Sequence, residues 1–169
     1  MNKRVVITGM GVISPVGNDV NTFWNNLCNG VCGIESIKAF PTDNLPVGIA
    51  GIIKDFKAEE YGMDKPFIRK QDLFTQYGVA AAYQAMKQSG LVSQGEGQNI
   101  DPFRLGVYFG SGIGGFATQY REIAKMIEDP SGQWISPLFI PTMISNIAAG
   151  HIAIMHHAEG PCLDIVTAC

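Results

Sequence analysis

Charged residues are scarce in this chain: Asp, Glu, Lys and Arg together make up 16% of its 169 residues. The formal net charge of −3 provides no overall attraction to nucleic acid or to an anionic membrane, so any basic recognition surface must be local. Hydrophobic residues reach 46%, with 20 glycines and 9 prolines. This composition is typical of a folded domain with a real core and tight loops rather than of a disordered chain.

Long apolar runs are also missing. No segment approaches the roughly 20 consecutive apolar residues that a membrane-spanning helix needs. The N-terminal stretch has two cations followed by apolar residues, as a signal peptide does. Gly9, Gly11 and Pro15 interrupt it, however, and no small-residue cleavage site follows. These features predict a cytoplasmic protein.

Cysteine is sparse and scattered, with only Cys28, Cys32, Cys162 and Cys169. Four cysteines in these places do not predict a disulfide framework in a chain of this size. Gly30 interrupts the segment between the first two, and the distant histidines lack the spacing of metal ligands. The first three cysteines are interpreted as ordinary small apolar residues, and no metal site is predicted.

Strand-like and helix-like patterns alternate along the chain. Apolar, β-branched runs predict strands at 4–8, 47–53, 104–110 and 163–167. Helical spacing and capping residues predict helices from a cap at Asn18 or Asp19 to near Gly30, from 72 to 89, from 116 to 128, and from Pro141 to 158. The last helix is small or apolar on most faces, which predicts close packing. The alternation predicts an α/β architecture with a substantially parallel sheet.

A glycine cluster, GSGIGG at 110–115, lies between a predicted strand and a predicted helix. That is the context of the dinucleotide-binding fingerprint, which also needs an acidic residue about 20 positions further on, at a strand end. Residues 128–132 are loop-like instead, and the earlier glycines in 9–15 lack the third glycine of the pattern. Close backbone packing, or a loop that lines a pocket, is therefore favoured over nucleotide binding.

Cys169 follows the predicted strand 163–167. The carboxyl end of a parallel strand is where α/β folds place their sites. A helix that began there would favour the thiolate through its dipole and its free N–H groups. Those N–H groups would also stabilise an oxyanion formed by attack on an acyl carbonyl. From spacing alone, however, a buried or incidental thiol is the favoured interpretation of Cys169.

Four segments form a specific combination: RVVITGMGVISPVGN (4–18), RLGVYFGSGIGG (104–115), ISPLFIPTMISNIAAGHIAIMHHAEGP (135–161) and TAC (167–169). Together they resemble the β-ketoacyl-acyl carrier protein synthases, most closely the type II condensing enzymes of fatty-acid elongation. The resemblance covers essentially the whole chain. It implies a thiolase-like fold of two similar α/β halves in αβαβα layers, with residues 1–169 as the N-terminal half.

The resemblance also implies a reaction. Cys169, in the T-A-C segment, is the expected nucleophile and accepts an acyl group from acyl carrier protein as a thioester. Malonyl-carrier protein then loses carbon dioxide, and the resulting carbanion attacks that thioester. The covalent intermediate divides a difficult transfer into two easier steps. No metal and no nucleotide cofactor is implied.

The family's two catalytic histidines and its phenylalanine gate belong to the second half, beyond residue 169. His151, His156 and His157 match no catalytic position, so no catalytic role is expected of them. A terminal Cys169 would have no following helix, and its own α-carboxylate would disfavour the thiolate. We therefore expect the isolated 169-residue chain to be inactive and to represent half of an enzyme.

Further site residues follow from the resemblance. Ile113 matches the residue that shapes the acyl-tail pocket, and Phe139 matches one that reaches across a homodimer interface into the partner's pocket. Lys65, Arg69 and Lys70 resemble the basic patch that docks acidic acyl carrier protein through charge steering. Without the family, the first two would be interpreted as core residues and the basic cluster as a solvated helix face.

Two other classes of function stay open. One is a non-catalytic half-domain that only dimerises or binds carrier protein, and the other is a dinucleotide-binding domain of an oxidoreductase. Within the family, polyketide ketosynthases and thiolases are not separated by residues 1–169.

Overall fold

A computed structural model describes residues 3–167, so Met1, Asn2, Ala168 and the predicted nucleophile Cys169 lie outside the described residues. The helices are α1 (Val20–Cys28), α2 (Lys65–Lys70), α3 (Leu73–Ser89), α4 (Phe116–Glu128), α5 (Phe139–Met143) and α6 (Ile147–Met155). The strands are β1 (Ile34–Ser36), β2 (Ile49–Gly51), β3 (Val107–Gly110) and β4 (Cys162–Ile165). Short 3-10 turns cover Ala58–Tyr61 and Pro102–Arg104.

The strands form two separate pairs in the described part of the chain. β3 and β4 are parallel, with Val107 opposite Cys162 and Gly110 opposite Ile165. β1 and β2 are antiparallel, which corrects the expectation of a substantially parallel sheet for this region. The reason is the connection: residues 37–48 contain no helix, and a parallel pair needs a long crossover, usually helical.

The predicted strand at 4–8 is wrong for the described structure, in which these residues belong to no strand. A strand needs a hydrogen-bonded neighbour, and here Val5 and Ile7 remain 95% and 83% exposed. The chain just after this segment is held by α3 instead. The N–H of Met10 donates to Gln88 Oε1, and a Cβ on Gly11 would lie 1.9 Å from the carbonyl oxygen of Ala81.

Helix ends follow the capping residues. Asp19 caps α1 by accepting from the N–H of Thr22, and Asp72 caps α3 by accepting from the N–H of Phe74. Gly90 ends α3 in the left-handed conformation, with φ of 68°, which glycine adopts without strain. The predicted bounds of α3 and α4 are confirmed to within a residue.

The single helix predicted from Pro141 is also wrong, because the chain forms two helices there. α5 already begins at Phe139, and Ile144 then takes an extended conformation with ψ of 135°. At the break, Ser145 Oγ donates to Asp164 Oδ2 on β4 at 2.5 Å. A hydroxyl that bonds a neighbouring strand stabilises an interruption that helix periodicity does not reveal.

The core lies between α3, α6 and the Ala58–Tyr61 turn. Val79 and Ala80 of α3 are fully buried, and so is Ala148 of α6. Small side chains let the two helices approach closely, which confirms the close packing predicted for the region of α6. Within residues 3–167, no helix is long and apolar enough to cross a membrane.

Candidate functional site

Two segments leave the β3–β4 pair at the same edge. Because the strands are parallel and Gly110 faces Ile165, their carboxyl ends lie side by side. β3 continues into the glycine loop, residues 110–115, and β4 continues through Val166 and Thr167 towards Cys169. The described structure therefore brings the glycine loop next to the chain that leads to the predicted nucleophile.

The glycine loop packs tightly against α5. The N–H of Gly115 donates to the carbonyl oxygen of Met143 at 2.8 Å. Gly114 has a φ of 80°, and a Cβ there would lie 2.5 Å from the same oxygen. Ser111 Oγ accepts from the N–H of Gly114 at 3.0 Å, which closes the turn. These contacts confirm the close-packing interpretation of the cluster.

Ile113 and Phe139 lie on the two elements that this packing joins. Ile113 is in the glycine loop and is 68% exposed in the described structure, so the core interpretation of this residue is wrong. Phe139 begins α5 and is half-buried. A large apolar side chain exposed at the carboxyl edge of parallel strands lies where an apolar ligand could contact it.

The basic cluster lies on α2. Lys65 is its first residue, Arg69 and Lys70 form its last turn, and all three are exposed. Asp64 caps the helix by accepting from the N–H of Phe67 at 2.8 Å. The cluster is therefore a solvent-facing cationic surface within one short helix.

A cavity of about 360 Å³ opens beside this cluster. Its walls are the α2–α3 junction, one face of α4, and the segment that leads into α5; the lining includes Arg69, Lys70, Asp72, Thr118, Arg121, Ser136 and Thr142. Asp72 Oδ2 accepts from the N–H of Thr118 at 3.0 Å and from its hydroxyl at 2.6 Å. Thr142 Oγ1 donates to the carbonyl oxygen of Lys70 at 2.9 Å. Hydrogen bonds between polar groups therefore connect the walls of the cavity.

Glu122 of α4 is the most enclosed charged group near the cavity, with a side chain only 2% exposed. Its Oε1 accepts from Lys125 Nζ at 2.8 Å and from Arg121 Nε at 3.2 Å, and its Oε2 accepts from the N–H of Ser136 at 2.9 Å. The hydrogen bond from Lys125 is the largest influence that lowers the pKa of Glu122 to about 2, followed by the bond from Ser136. The Glu122 carboxylate is therefore charged at neutral pH, and its three hydrogen bonds fix its position.

The sequence analysis missed Glu122, Asp72 and Thr118 as parts of a polar network. The only local signal was the Glu-to-Lys spacing of three residues on one helix, from Glu122 to Lys125, which permits an ion pair. The bond to Ser136 crosses 14 residues. No pattern within α4 predicts that contact.

His151 lies on α6 and His156 directly follows that helix, and both side chains are half-buried. The His151 ring meets the Phe67 ring edge-on at 4.9 Å, and burial lowers the pKa of His151. Burial, and to a lesser extent neighbouring His157, lowers the pKa of His156. These two side chains favour the neutral form and contribute to packing.

Comparison with known proteins agrees with this geometry. Residues 2–169 match the family model of the beta-ketoacyl synthase N-terminal domain. The 3-oxoacyl-[acyl-carrier-protein] synthase 2 of Vibrio cholerae serotype O1 is 44% identical over 167 residues, which cover 99% of this chain and 39% of that protein. The protein of the same name from Staphylococcus aureus is also 44% identical, over 169 residues. The chain thus spans about 39% of the length of these curated relatives.

Solved structures share the fold. The ishigamide ketosynthase/chain length factor superposes with a TM-score of 0.81 at 25% identity, over 97% of this chain and 40% of that chain. A type II polyketide ketosynthase, solved with its acyl-carrier protein and a bound hexaketide, superposes with a TM-score of 0.73 at 26% identity, over 97% of this chain and 41% of that chain.

A beta-ketoacyl synthase from Burkholderia phymatum supports the fold alone, with a TM-score of 0.74 at 20% identity over 99% of this chain and 40% of that chain. The predicted thiolase-like α/β fold is confirmed by these superpositions. The chain therefore belongs to the beta-ketoacyl synthase family, whose N-terminal domain it matches.

Proposed function

We propose that residues 1–169 are the N-terminal, nucleophile-bearing half of a cytoplasmic β-ketoacyl-acyl carrier protein synthase that elongates fatty acids. The observation that carries this proposal is the 44% identity, over 99% of the chain, to proteins named 3-oxoacyl-[acyl-carrier-protein] synthase 2. The catalytic histidines implied by the resemblance belong to the second half of the enzyme. We accordingly propose that the isolated chain does not condense acyl groups.

The proposed reaction begins at Cys169. Its thiolate attacks the carbonyl carbon of an acyl-carrier protein thioester, and the carrier leaves as its thiolate, which transfers the acyl group to the enzyme. Malonyl-carrier protein then loses carbon dioxide, and the electron pair of the broken bond forms an enolate. The enolate carbon attacks the Cys169 thioester, and the carbon–sulfur bond to Cys169 breaks. The products are a β-ketoacyl-carrier protein and the regenerated thiolate.

The β3–β4 edge supports this assignment. Parallel strands direct the chain towards Cys169 beside the glycine loop, and that loop presents the exposed side chain of Ile113 at the same edge. We propose that Ile113 contacts the acyl chain and limits how it folds in its pocket. Phe139, on α5 against the loop, would line the pocket of the second subunit in a homodimer.

The α2 cluster supports a carrier-protein partner. Lys65, Arg69 and Lys70 project three cations from one exposed helix, and an acidic carrier would be steered to such a surface. We propose that acyl and malonyl carrier proteins dock on this helix. The reaction as proposed requires neither a metal nor a nucleotide.

Acylation of Cys169 is the direct test. The complete protein that carries this chain is incubated with decanoyl-acyl carrier protein, digested, and analysed by mass spectrometry for an acylated cysteine peptide. We expect the acyl group on Cys169, and we expect Cys169→Ala to lower condensation by at least about a thousandfold. Cys162→Ala is the matched control, because Cys162 is an exposed thiol on β4.

Two outcomes would contradict the proposal. Acyl transfer that persists in Cys169→Ala would remove Cys169 from the mechanism. A folded wild-type protein that binds carrier protein but accepts no acyl group would indicate a non-catalytic docking or dimerising half instead.

A further inference from the structure

The cavity beside α2 shares residues with the basic cluster. Arg69 and Lys70 line the cavity and also belong to the exposed cationic surface of α2. Arg121 joins them from α4, with a side chain that is 59% exposed. Cationic side chains from two helices therefore surround one opening.

The shape of this opening depends on the segment between α4 and α5. That segment, residues 129–138, supplies Ser136 and Leu138 to the cavity wall. The first part of this segment forms a turn with local hydrogen bonds, because the carboxylate of Asp129 accepts from the N–H of Ser131 and from Gln133 Nε2. Its last part is tied to α4 by the bond from the N–H of Ser136 to Glu122 Oε2 at 2.9 Å.

Glu122 therefore has two structural roles at once. One carboxylate oxygen holds the wall at Ser136, and the other holds the side chains of Arg121 and Lys125 through bonds of 3.2 and 2.8 Å. The guanidinium of Arg121 also lies 3.4 Å from Thr118 Oγ1, through Nη2. Three donors from two elements are thus fixed by one buried anion.

We propose that Glu122 is a positioning residue for carrier-protein docking: it fixes Arg121 and the Ser136 wall so that the cavity and the α2 cations form one preformed surface for an acidic partner. This inference rests on the proposed function. The occupant is acyl carrier protein, because charge complementarity favours an acidic partner on a rim that carries Arg69, Lys70 and Arg121. A surface already fixed before binding loses less side-chain entropy when the partner docks.

The test separates docking from chemistry. Glu122→Gln in the complete protein keeps the size of the side chain and one acceptor oxygen but loses the charge. Steady-state kinetics are measured with decanoyl-acyl carrier protein and with the small thioester decanoyl-N-acetylcysteamine. We expect KM for the carrier substrate to rise about tenfold while kcat and the KM for the small thioester change less than about twofold.

Matched control variants distinguish the loss of the buried Glu122 contacts from the loss of a charge elsewhere on the surface. Glu128→Gln changes an exposed glutamate of the same helix and is expected to leave both KM values unchanged. If Glu122→Gln does not fold, as judged by its circular dichroism, Lys125→Gln removes one donor to Glu122. It is compared with Lys87→Gln, which removes the same charge from the exposed last turn of α3. A carrier-specific rise in KM is expected for Lys125→Gln alone.

The outcomes fall into three classes. A rise in KM confined to carrier protein supports the proposal. Equal changes for both thioesters, or none, overturn the positioning role while wild-type activity leaves the proposed function intact. A folded wild-type protein without activity on either thioester overturns both the proposed function and this inference.

Discussion

Ser145 Oγ and Asp164 Oδ2 lie 2.5 Å apart, and this hydrogen bond ties the break between α5 and α6 to strand β4. Asp164 Oδ1 is buried and has no hydrogen-bond partner in the described residues. Ser145 therefore supplies the one side-chain hydrogen bond that this carboxyl group receives within the described residues. Since β4 leads towards Cys169, the contact also connects helix α6 to the chain that carries the proposed nucleophile.

Removal of the Ser145 hydroxyl should destabilise the protein. Ser145→Ala leaves Asp164 half-buried without its side-chain donor, which costs about 1–3 kcal/mol. Urea-induced unfolding measures the change in the free energy of unfolding. Ser131→Ala, in an exposed turn, should change it by less than about 0.5 kcal/mol. An equal effect of both variants would contradict the importance of the Ser145–Asp164 bond.

Gly114 should not tolerate a side chain, whereas Gly112 should. Gly114 has a φ of 80° and no room for a Cβ, while a Cβ on Gly112 would meet nothing within 4 Å. Gly114→Ala should lower the free energy of unfolding by about 1–3 kcal/mol or more, and Gly112→Ala by under about 1 kcal/mol. Thermal unfolding compares the two. Equal tolerance would mean that the loop does not need its close approach to α5.

Ionisation of Glu122 should make the free energy of unfolding depend on pH in the acidic range. The pKa of Glu122 falls from an ordinary 4.5 to about 2 on folding, so its ionised form stabilises the fold above pH 4.5. That contribution is lost as the pH falls from 4.5 towards 2. The shift itself corresponds to roughly 3 kcal/mol, which solvent screening of the half-exposed partners reduces to about 1–2 kcal/mol.

The pH dependence is measured by chemical unfolding of wild type and Glu122→Gln between pH 7 and pH 2.5. We expect the wild type to be more stable at pH 7 and the difference to shrink as the pH falls. A difference that stays constant across this range would show that ionisation of Glu122 does not contribute.

A larger side chain at Ile113 should shorten the acyl chains that the complete enzyme accepts. Ile113 is exposed at the glycine loop, so Ile113→Phe adds volume where we place the acyl tail rather than in the core. We expect kcat/KM for long acyl-carrier substrates to fall about tenfold or more while short substrates are nearly unaffected. Ile127→Phe, on the exposed face of α4, is the control. Equal losses at all chain lengths would contradict a pocket role for Ile113.

Charge reversal on α2 should weaken binding of the carrier protein. Lys70→Glu replaces a cation of the proposed docking cluster, and we expect a tenfold or larger fall in the association rate at low salt, roughly as for other steered complexes. The loss should diminish at high ionic strength because salt screens exposed charges. Lys87→Glu, on α3, is the control in stopped-flow binding. A salt-independent loss, or an equal loss in the control, would argue against steering by α2.

Local signals predicted much of the fold because the forces involved are local. The capping carboxylates Asp19 and Asp72 and the helix-ending Gly90 set helix bounds through bonds within a few residues. The failures have the opposite cause. Residues 4–8 have strong β propensity but no strand partner in the described structure, and the break at Ile144–Ser145 is stabilised by Asp164 on β4, 19 residues away.

The sequence by itself determined the family, the α/β class, and the extent of α3 and α4. It also supplied the predicted site residues, from Cys169 to the α2 cations, which stay predictions. Motif order, periodicity and capping are written in consecutive residues, so a single chain is enough to establish them. Only the tertiary structure brought the glycine loop against α5, exposed Ile113, and placed Ser136 on the buried carboxylate of Glu122. These relationships join residues that are distant in sequence, and they arise only when helices and strands pack, because burial and hydrogen bonding across elements decide which distant groups meet.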